Sequence, residues 1–329
     1  MKVRLVISIG AMTSLTTKQR SNYAGFPKAA ELIEIEGAHA LEASDRAMFN
    51  QLLQAAHDSG RLTETDAEWE ISLASLRRAS TKHESNDRIR DSLRRLRRTE
   101  VRVTYISGRT GLSRTMETHL LEFTDTDDVD SATATVQFGI PKRLRAVLAR
   151  SNRWGRIRCE VSYAMTSKYA IALYEMVCLR ANLDRCIETI EMEKFRDLLG
   201  VPPGAYERAD NFVRNVVTPA LLEVNGLSDI SVQIEMVRRH PRAPAHAVAL
   251  AWWRKSGDEF RNAMQERNRS KVGRMARLRG QVEAVAPEKD RLLALADADV
   301  SATLAKIRAD ESEKTEDYST SELAEAEAQ

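Results

Sequence analysis

The order of predicted elements between Ser167 and Trp253 constrains this 329-residue chain more than any other feature of its sequence. After Ser167, apolar residues recur at the spacing of one helix face, at Ala170, Leu173, Tyr174, Val177, Cys178 and Ala181. Residues 186–191 can form a short strand. Residues 192–200 predict a second helix that stops at Gly200, and the turn 201–204 follows.

A third helix is predicted from Glu207 to Asn225, and its two sides differ in chemistry. The inward side is apolar at Phe212, Val213, Val216, Ala220, Leu221 and Val224. The outward side carries Arg208, Asn211, Arg214 and Asn215. Two β-rich runs at 228–236 and 245–253 follow, and the loop between them contains Arg238, Arg239 and Arg242. Helix, strand, helix, basic helix and hairpin is the order of elements in a winged helix.

These basic residues are candidates for contact with double-stranded DNA. Arginine can bond guanine bidentately and asparagine can do the same for adenine, so the outward side of the third helix could read base edges in the major groove. The loop arginines suit phosphate or minor-groove contact. An ordinary solvated helix face and a solvated hairpin are the alternatives that the pattern alone leaves open.

The first half of the chain repeats this architecture. A helix at 44–56, a strand at 69–71 and a helix at 73–79 precede a basic helix at 86–98. The match has no gap where Ile71, Leu73, Leu76 and Arg77 line up with Ile190, Met192, Phe195 and Arg196. The basic helix directs three arginines outward as candidates for phosphate contact: Arg88, Arg90 and Arg94. At helical spacing they could instead pair with nearby acids, which are Glu84, Asp87 and Asp91.

Strands at 101–106, 119–123 and 133–138 and a helix at 141–150 are predicted to complete this first unit. An internal repeat of this size indicates two domains rather than a solenoid. The expected fold is therefore α+β, with two tandem winged-helix domains. We expect a flexible N-terminus at 1–26, a first domain at 27–155 and a second domain at 156–256. The remaining segment, 257–329, is expected to be a basic helix followed by a disordered acidic tail. The basic pattern of that helix extends over about 256–282.

Charge is distributed unevenly, although the formal net charge is only +2. Residues 77–102 carry ten Lys or Arg against four Asp or Glu, and residues 254–279 carry nine against three. Residues 310–329 reverse the balance, with eight acidic residues against one Lys. Positive regions that could contact phosphates are thus separated from a negative tail. The tail has few large apolar residues, which predicts disorder.

Several classes of protein lack their signatures in this sequence. No apolar run approaches the roughly 20 residues of a membrane span, and the N-terminus lacks a signal-peptide pattern, so a cytoplasmic protein is expected. The three cysteines have neither disulfide-framework nor zinc-site spacing and should be reduced and mostly buried. P-loop, H-E-x-x-H and G-x-S-x-G motifs are absent. We therefore expect no catalytic residue, no metal, no cofactor and no enzymatic activity.

Five short motifs in the second unit occur in an order that is typical of one family. They are Ser167-Lys168-Tyr169-Ala170 with Leu173-Tyr174-Glu175, the run from Phe195 to Val201, Tyr206, the run from Phe212, and its end Pro219-Ala220-Leu221-Leu222-Glu223-Val224-Asn225. Together they resemble the initiator replication proteins of iteron-type plasmids. The resemblance covers about residues 28–256 and is more distinctive in the second unit.

The resemblance implies a protein that binds directly repeated plasmid-origin sequences, or iterons, as a monomer. It also implies opening of adjacent A·T-rich DNA and recruitment of the host initiator and replicative helicase. Family members dimerise through the first winged helix, in equilibrium with the monomer, and commonly repress their own gene. By position, the resemblance assigns base reading to Arg208, Asn211 and Arg214, and places Arg88, Arg90 and Arg94 on the corresponding helix of the first domain.

Two tandem winged helices that grip one face of DNA through successive major grooves should cover roughly 20 bp. A winged-helix transcriptional regulator without a role in replication is the nearest alternative. A protein-interaction scaffold is an alternative of another class, against which the arginines of both third helices argue. A nuclease or relaxase is disfavoured by the absent metal and nucleophile patterns.

Overall fold

The computed structural model describes residues 25–79, 86–127, 133–181, 183, 186–240 and 243–280. The described residues from Gly25 to Arg279 belong to one compact unit. Four subjects of the sequence predictions lie outside the described residues: the N-terminal segment 1–24, Glu84, the loop residue Arg242 and the acidic tail.

The first domain begins with a short strand and ends with its partner. Its elements are β1 (Phe26–Ala29), α1 (Ala30–Ile33), a 3₁₀ turn (Ala38–Ala40), α2 (Ala43–Asp58), β2 (Trp69–Ser72), α3 (Leu73–Ala79), α4 (Asn86–Arg98), β3 (Glu100–Ile106), β4 (Ser113–His119), β5 (Phe123–Thr126), β6 (Thr135–Gly139), α5 (Lys142–Leu148) and β7 (Trp154–Ile157). Because β1 and β7 pair antiparallel, the two ends of the domain lie side by side.

A three-stranded antiparallel sheet in the order β2, β6, β5 is the winged-helix sheet of the first domain. The β3–β4 hairpin is separate from this sheet and is inserted between α4 and β5. The strand predicted at 119–123 is wrong, because β4 ends at His119 and β5 begins at Phe123. Between them, Leu120 and Leu121 are fully buried in the core. Their apolar character therefore reflects burial in a connecting turn and not a strand.

The second domain has the predicted order of elements. They are α6 (Cys159–Ala164), α7 (Lys168–Arg180), β8 (Ile187–Glu191), α8 (Met192–Leu199), α9 (Ala209–Phe212), a π-turn (Val213–Val217), α10 (Thr218–Leu227), β9 (Ile230–Arg238), β10 (Ala245–Arg254), α11 (Gly257–Asn268) and α12 (Arg274–Leu278). The sheet order is β8, β10, β9, which matches β2, β6, β5 of the first domain. The repeated winged-helix architecture is thus confirmed.

Two helix predictions in this part of the chain need correction. The third helix of the domain begins at Ala209 rather than Glu207 and contains a π-turn. We call residues 209–227 the recognition helix. The single basic helix predicted at 256–282 is wrong, because it is two helices separated by a turn at 269–273. Gly273 has a left-handed φ of 71° in that turn, which favours glycine.

The gapless alignment between the two domains has a structural reason. In each domain the strand leads directly into the second helix, whose inward residue, Leu76 or Phe195, is fully buried. The next residue is an arginine that ties this helix to the chain at, or just before, the start of the third helix. Arg77 Nη2 donates to Asn86 Oδ1 at 2.6 Å, and Arg196 Nη1 donates to the Tyr206 carbonyl at 3.1 Å. The repeated arginine therefore fixes where each third helix begins.

Helix α7 lies at the centre of the compact unit and is buried on almost every side. Ser167 caps its N-terminus by accepting from the Ala170 backbone N–H. Its Glu175 contacts two residues of the first domain, Lys28 at 2.9 Å and Asn50 at 2.7 Å. All three side chains are buried. Because a buried charge requires a partner, this network fixes how α7 packs against β1 and α2.

The residues after the wing also pack against the second domain. Arg274 is buried, and its guanidinium donates to the carbonyls of Ala164, Glu266 and Arg269. Leu278 lies against the recognition helix at Gly226, where a Cβ atom would meet its side chain at 2.2 Å. Arg277 also pairs with Glu266 at 2.6 Å. Several of the basic residues in 254–279 that were expected to contact phosphates therefore bond to groups of the protein itself.

The three cysteines agree with the sequence prediction. Cys159, Cys178 and Cys186 are free and buried, as predicted. Burial raises the pKa of Cys159 to about 12, so its thiol is unreactive near neutral pH. Among the described residues, none of the helices combines the length and the apolar composition needed to cross a membrane.

Candidate nucleic-acid interface

The outward side of the recognition helix carries the four predicted DNA-contacting residues in two groups. Arg208 is the N-cap residue, so its exposed side chain projects from the very start of the helix. The other three lie close together over the following turn. Arg214 Nη2 donates to Asn211 Oδ1 at 3.1 Å, and Asn215 Nδ2 donates to the Asn211 carbonyl at 3.0 Å. These weak surface bonds hold Asn211, Arg214 and Asn215 as one polar patch.

The wing of the second domain lies at the same end as the start of the recognition helix. Pro244 and Ala245, at the wing end of β10, line one cleft together with Glu207 and Ala209. The exposed Arg238 donates to the Ala243 carbonyl at 2.7 Å, which braces the wing. Arg239 is exposed at the tip. The structure therefore brings Arg208 and the two described wing arginines to one end of the domain.

Helix α4 of the first domain presents arginines in three different situations. Arg88 is exposed and has no side-chain partner among the described residues. Arg94 is exposed but bonded to Asp91 at 2.6 Å. Arg90 is half-buried, contacts Asp87 at 3.4 Å and donates to the Asp127 carbonyl at 3.2 Å. The predicted pairing with Asp87 and Asp91 is thus present, whereas Glu84 lies outside the described residues.

The wing of the first domain is acidic, which the sequence prediction did not anticipate. By sheet order, the β5–β6 hairpin corresponds to the β9–β10 wing. At its end Asp125 and Asp127 stand where the second domain has Arg238, Arg239 and His240. The sequence between β5 and β6 also contains Asp128 and Asp130, which lie outside the described residues. An acidic wing repels phosphates. The aspartates were visible in the sequence, but only the strand order shows that they occupy a wing.

Comparison with known proteins agrees with this geometry. The family description "Initiator Replication protein, WH1" matches residues 27–178, and "Initiator Rep protein, WH2" matches residues 191–246. The chain belongs to the initiator Rep protein family. DNA binding in the initiation of plasmid replication is the function class of this family. No curated protein sequence matches the chain.

One solved structure shows the same fold at low sequence identity. The Pi initiator protein, crystallised in complex with iteron DNA, matches with a TM-score of 0.52 and 12% identity, covering 68% of this chain and 96% of that chain. Domains 2 and 3 of RctB match with a TM-score of 0.42 and 12% identity, covering 65% of this chain and 83% of that chain. The likeness to Pi establishes a shared architecture of tandem winged helices.

Proposed function

We propose that this protein initiates plasmid replication by binding directly repeated origin sequences as a monomer. The observation that carries the proposal is the convergence of Arg208 and the basic wing at one end of a domain that matches the initiator family. The Pi initiator, which has the same fold, was crystallised with iteron DNA. In the proposal, the recognition helix reads base edges in the major groove and the wing contacts phosphates.

The first domain makes a different contribution in this proposal. Its acidic wing keeps β5–β6 away from the DNA backbone, so α4 supplies phosphate contacts through Arg88 and its neighbours. The first domain then positions the protein, and the second selects the sequence. Opening of A·T-rich DNA, recruitment of the host initiator and helicase, autorepression by a dimer, and a cytoplasmic location belong to the proposal through the family resemblance. No catalytic step, metal or cofactor is part of it.

Maintenance of a plasmid in cells tests the proposal as a whole. The gene, supplied in trans, is expected to maintain a second plasmid that carries only the candidate origin. A winged-helix regulator without a replication role would bind and repress but would not maintain that plasmid. Failure of maintenance together with intact binding to the repeats would therefore favour the regulator.

Replacement of Arg214 by alanine is expected to weaken binding to the repeat by about 1–3 kcal/mol and to relax base choice at one position, because a bidentate contact to guanine is lost. Arg208→Ala should have a similar effect at another position. Titration of each variant against duplexes with single-base changes measures both quantities. Arg261→Ala, which removes an exposed charge from α11, is the matched control. Equal losses on every sequence would reassign these arginines to phosphate contact.

Removal of Arg88 or Arg239 is expected to reduce the slope of log affinity against log salt by about 0.9, because each is predicted to neutralise one phosphate. Arg94→Ala should reduce the slope less, since Arg94 is already bonded to Asp91. Salt titrations of the alanine variants on one duplex measure the slopes. A parental slope for Arg88→Ala would contradict the role assigned to α4.

Dimerisation through the first domain is expected to use the outer edge of β4. The Arg102 peptide groups bond to Glu36 and so point away from β4. Residues that face each other in an antiparallel pair alternate between bonded and non-bonded. Glu117, which faces Arg102, and Thr115, two residues away, therefore direct their own peptide groups to the outer edge. An exposed edge of this kind is a template for pairing with a second chain.

Thr115→Pro is expected to shift the protein towards monomer, because proline removes one outward N–H without breaking the β3–β4 bonds. Thr115→Val keeps that N–H and should dimerise like the parent. Sedimentation of the full-length variants over a range of concentrations measures the equilibrium. Full dimerisation of Thr115→Pro would exclude this edge as the interface.

A further inference from the structure

The recognition helix is interrupted by a π-turn at Val213–Val217, and Pro219 follows two positions later in the first turn of α10. The turn closes with a hydrogen bond from the Thr218 N–H to the Val213 carbonyl, five residues back. In a regular α-helix the Pro219 ring would clash with the carbonyl of Asn215, and no N–H would be present to bond it. The extra residue of a π-turn relieves this conflict.

Both ends of the recognition helix are fixed to the rest of the domain. At its C-terminal end, Glu223 accepts from the backbone N–H of Thr166 and Ser167, each at 3.0 Å. At its N-terminal end, Phe212 packs edge-on against Phe195, with ring centroids 6.2 Å apart, and lies 4.8 Å beneath the Arg196 guanidinium. The helix cannot rotate as a unit, so any change in its winding must alter the segment between these anchors.

The spacing of the buried residues shows why the π-turn affects the outward side. Fully buried residues recur every four positions, at Phe212, Val216, Ala220 and Val224. At about 100° per residue, each step of four advances by about 40° in an α-helix. Three steps would turn Phe212 about 120° away from Val224. The π-turn restores Phe212 to the buried side, and with it sets the direction of Asn211 and Arg214.

We propose that Pro219 is a specificity-determining positioning residue of this DNA-binding surface. Pro219 makes a regular α-helix impossible at this point and thereby holds the π-turn. The π-turn in turn sets how Arg208, Asn211 and Arg214 face the base edges. Pro219 itself contacts no base in this proposal. The inference rests on the proposed function, because it assumes that these three side chains read DNA.

Pro219→Ala tests the inference in the full-length protein. Alanine supplies the missing N–H and permits an α-helical turn. The expected result is a folded protein whose preference for the repeat over single-base variants falls about tenfold, a loss comparable to that of one bidentate contact. Binding to scrambled DNA should be unchanged. Pro203→Ala, in the exposed turn before the helix, is the matched control and should keep the full preference.

A double substitution separates positioning from general destabilisation. In the Arg214→Ala background, discrimination at the base pair read by Arg214 is already lost, so Pro219→Ala should add little there. A purely structural defect would lower affinity for every duplex equally, with or without Arg214, and would overturn the proposal. So would an unchanged preference in Pro219→Ala. If the parent protein itself shows no base preference, the proposed function fails first.

Discussion

Lys28→Met is expected to lower the free energy of unfolding by about 3–5 kcal/mol, because it leaves the Glu175 carboxylate buried without its cation. Lys28 Nζ lies 2.9 Å from Glu175 Oε1 and 2.9 Å from Asn50 Oδ1. The exposed fractions of Lys28 and Glu175 are 4% and 1%. Burial lowers the pKa of Lys28, and the adjacent Glu175 carboxylate acts in the opposite direction. Urea unfolding measures the loss.

The double variant Lys28→Met, Glu175→Gln is the control for this prediction. It removes both charges, and the glutamine amide can still exchange hydrogen bonds with Asn50. We expect it to recover more than half of the stability that the single variant loses, since replacement of a whole buried pair is often nearly neutral. Losses that simply add would show that the two charges do not depend on each other.

Glu223→Ala is expected to cost about 3 kcal/mol of unfolding free energy, because it leaves two backbone N–H groups without an acceptor. The Glu223 carboxylate is buried and accepts from the N–H groups of Thr166 and Ser167 and from the Thr166 hydroxyl. It also lies at the N-terminus of α7, where the helix dipole favours a negative charge. Thermal and urea unfolding measure the effect.

Two further variants sharpen this second prediction. Glu223→Gln keeps one acceptor oxygen and should lose less stability than Glu223→Ala. Glu207→Ala removes an exposed carboxylate just before the recognition helix and should stay within about 0.5 kcal/mol of the parent. Equal stability of Glu223→Ala and Glu207→Ala would mean that the buried carboxylate contributes nothing to the connection between α7 and the recognition helix.

Local periodicity predicted the second domain well because its elements carry their signals within a few residues. Gly200 ends α8 with a left-handed φ of 74°, as its position in the sequence indicated. The alignment of Arg77 with Arg196 also reflected a real equivalence, because Arg77 bonds to the first residue of the next helix and Arg196 bonds to the turn just before it. The strand predicted at 119–123 was wrong, because Leu120 and Leu121 are apolar for burial in a connecting turn and not because they belong to a strand.

The candidate DNA-binding residues were found from the sequence, but their surroundings were not. The sequence predicted the same role, phosphate contact, for Arg88, Arg90 and Arg94. The structure separates them, since Arg90 reaches the Asp127 carbonyl, 37 residues away, while Arg88 stays exposed. The π-turn that precedes Pro219 in the recognition helix is seen only in the structure.

The sequence by itself determined the type and order of elements, the two winged helices and the family, because helix and strand periods and short motifs are local. Only the tertiary structure decided that the β5–β6 wing is acidic, that β3–β4 is an inserted hairpin, and that Lys28 pairs with Glu175. Lys28 and Glu175 are 147 positions apart. Their pairing depends on how β1 packs against α7, and no local pattern of residues carries that information.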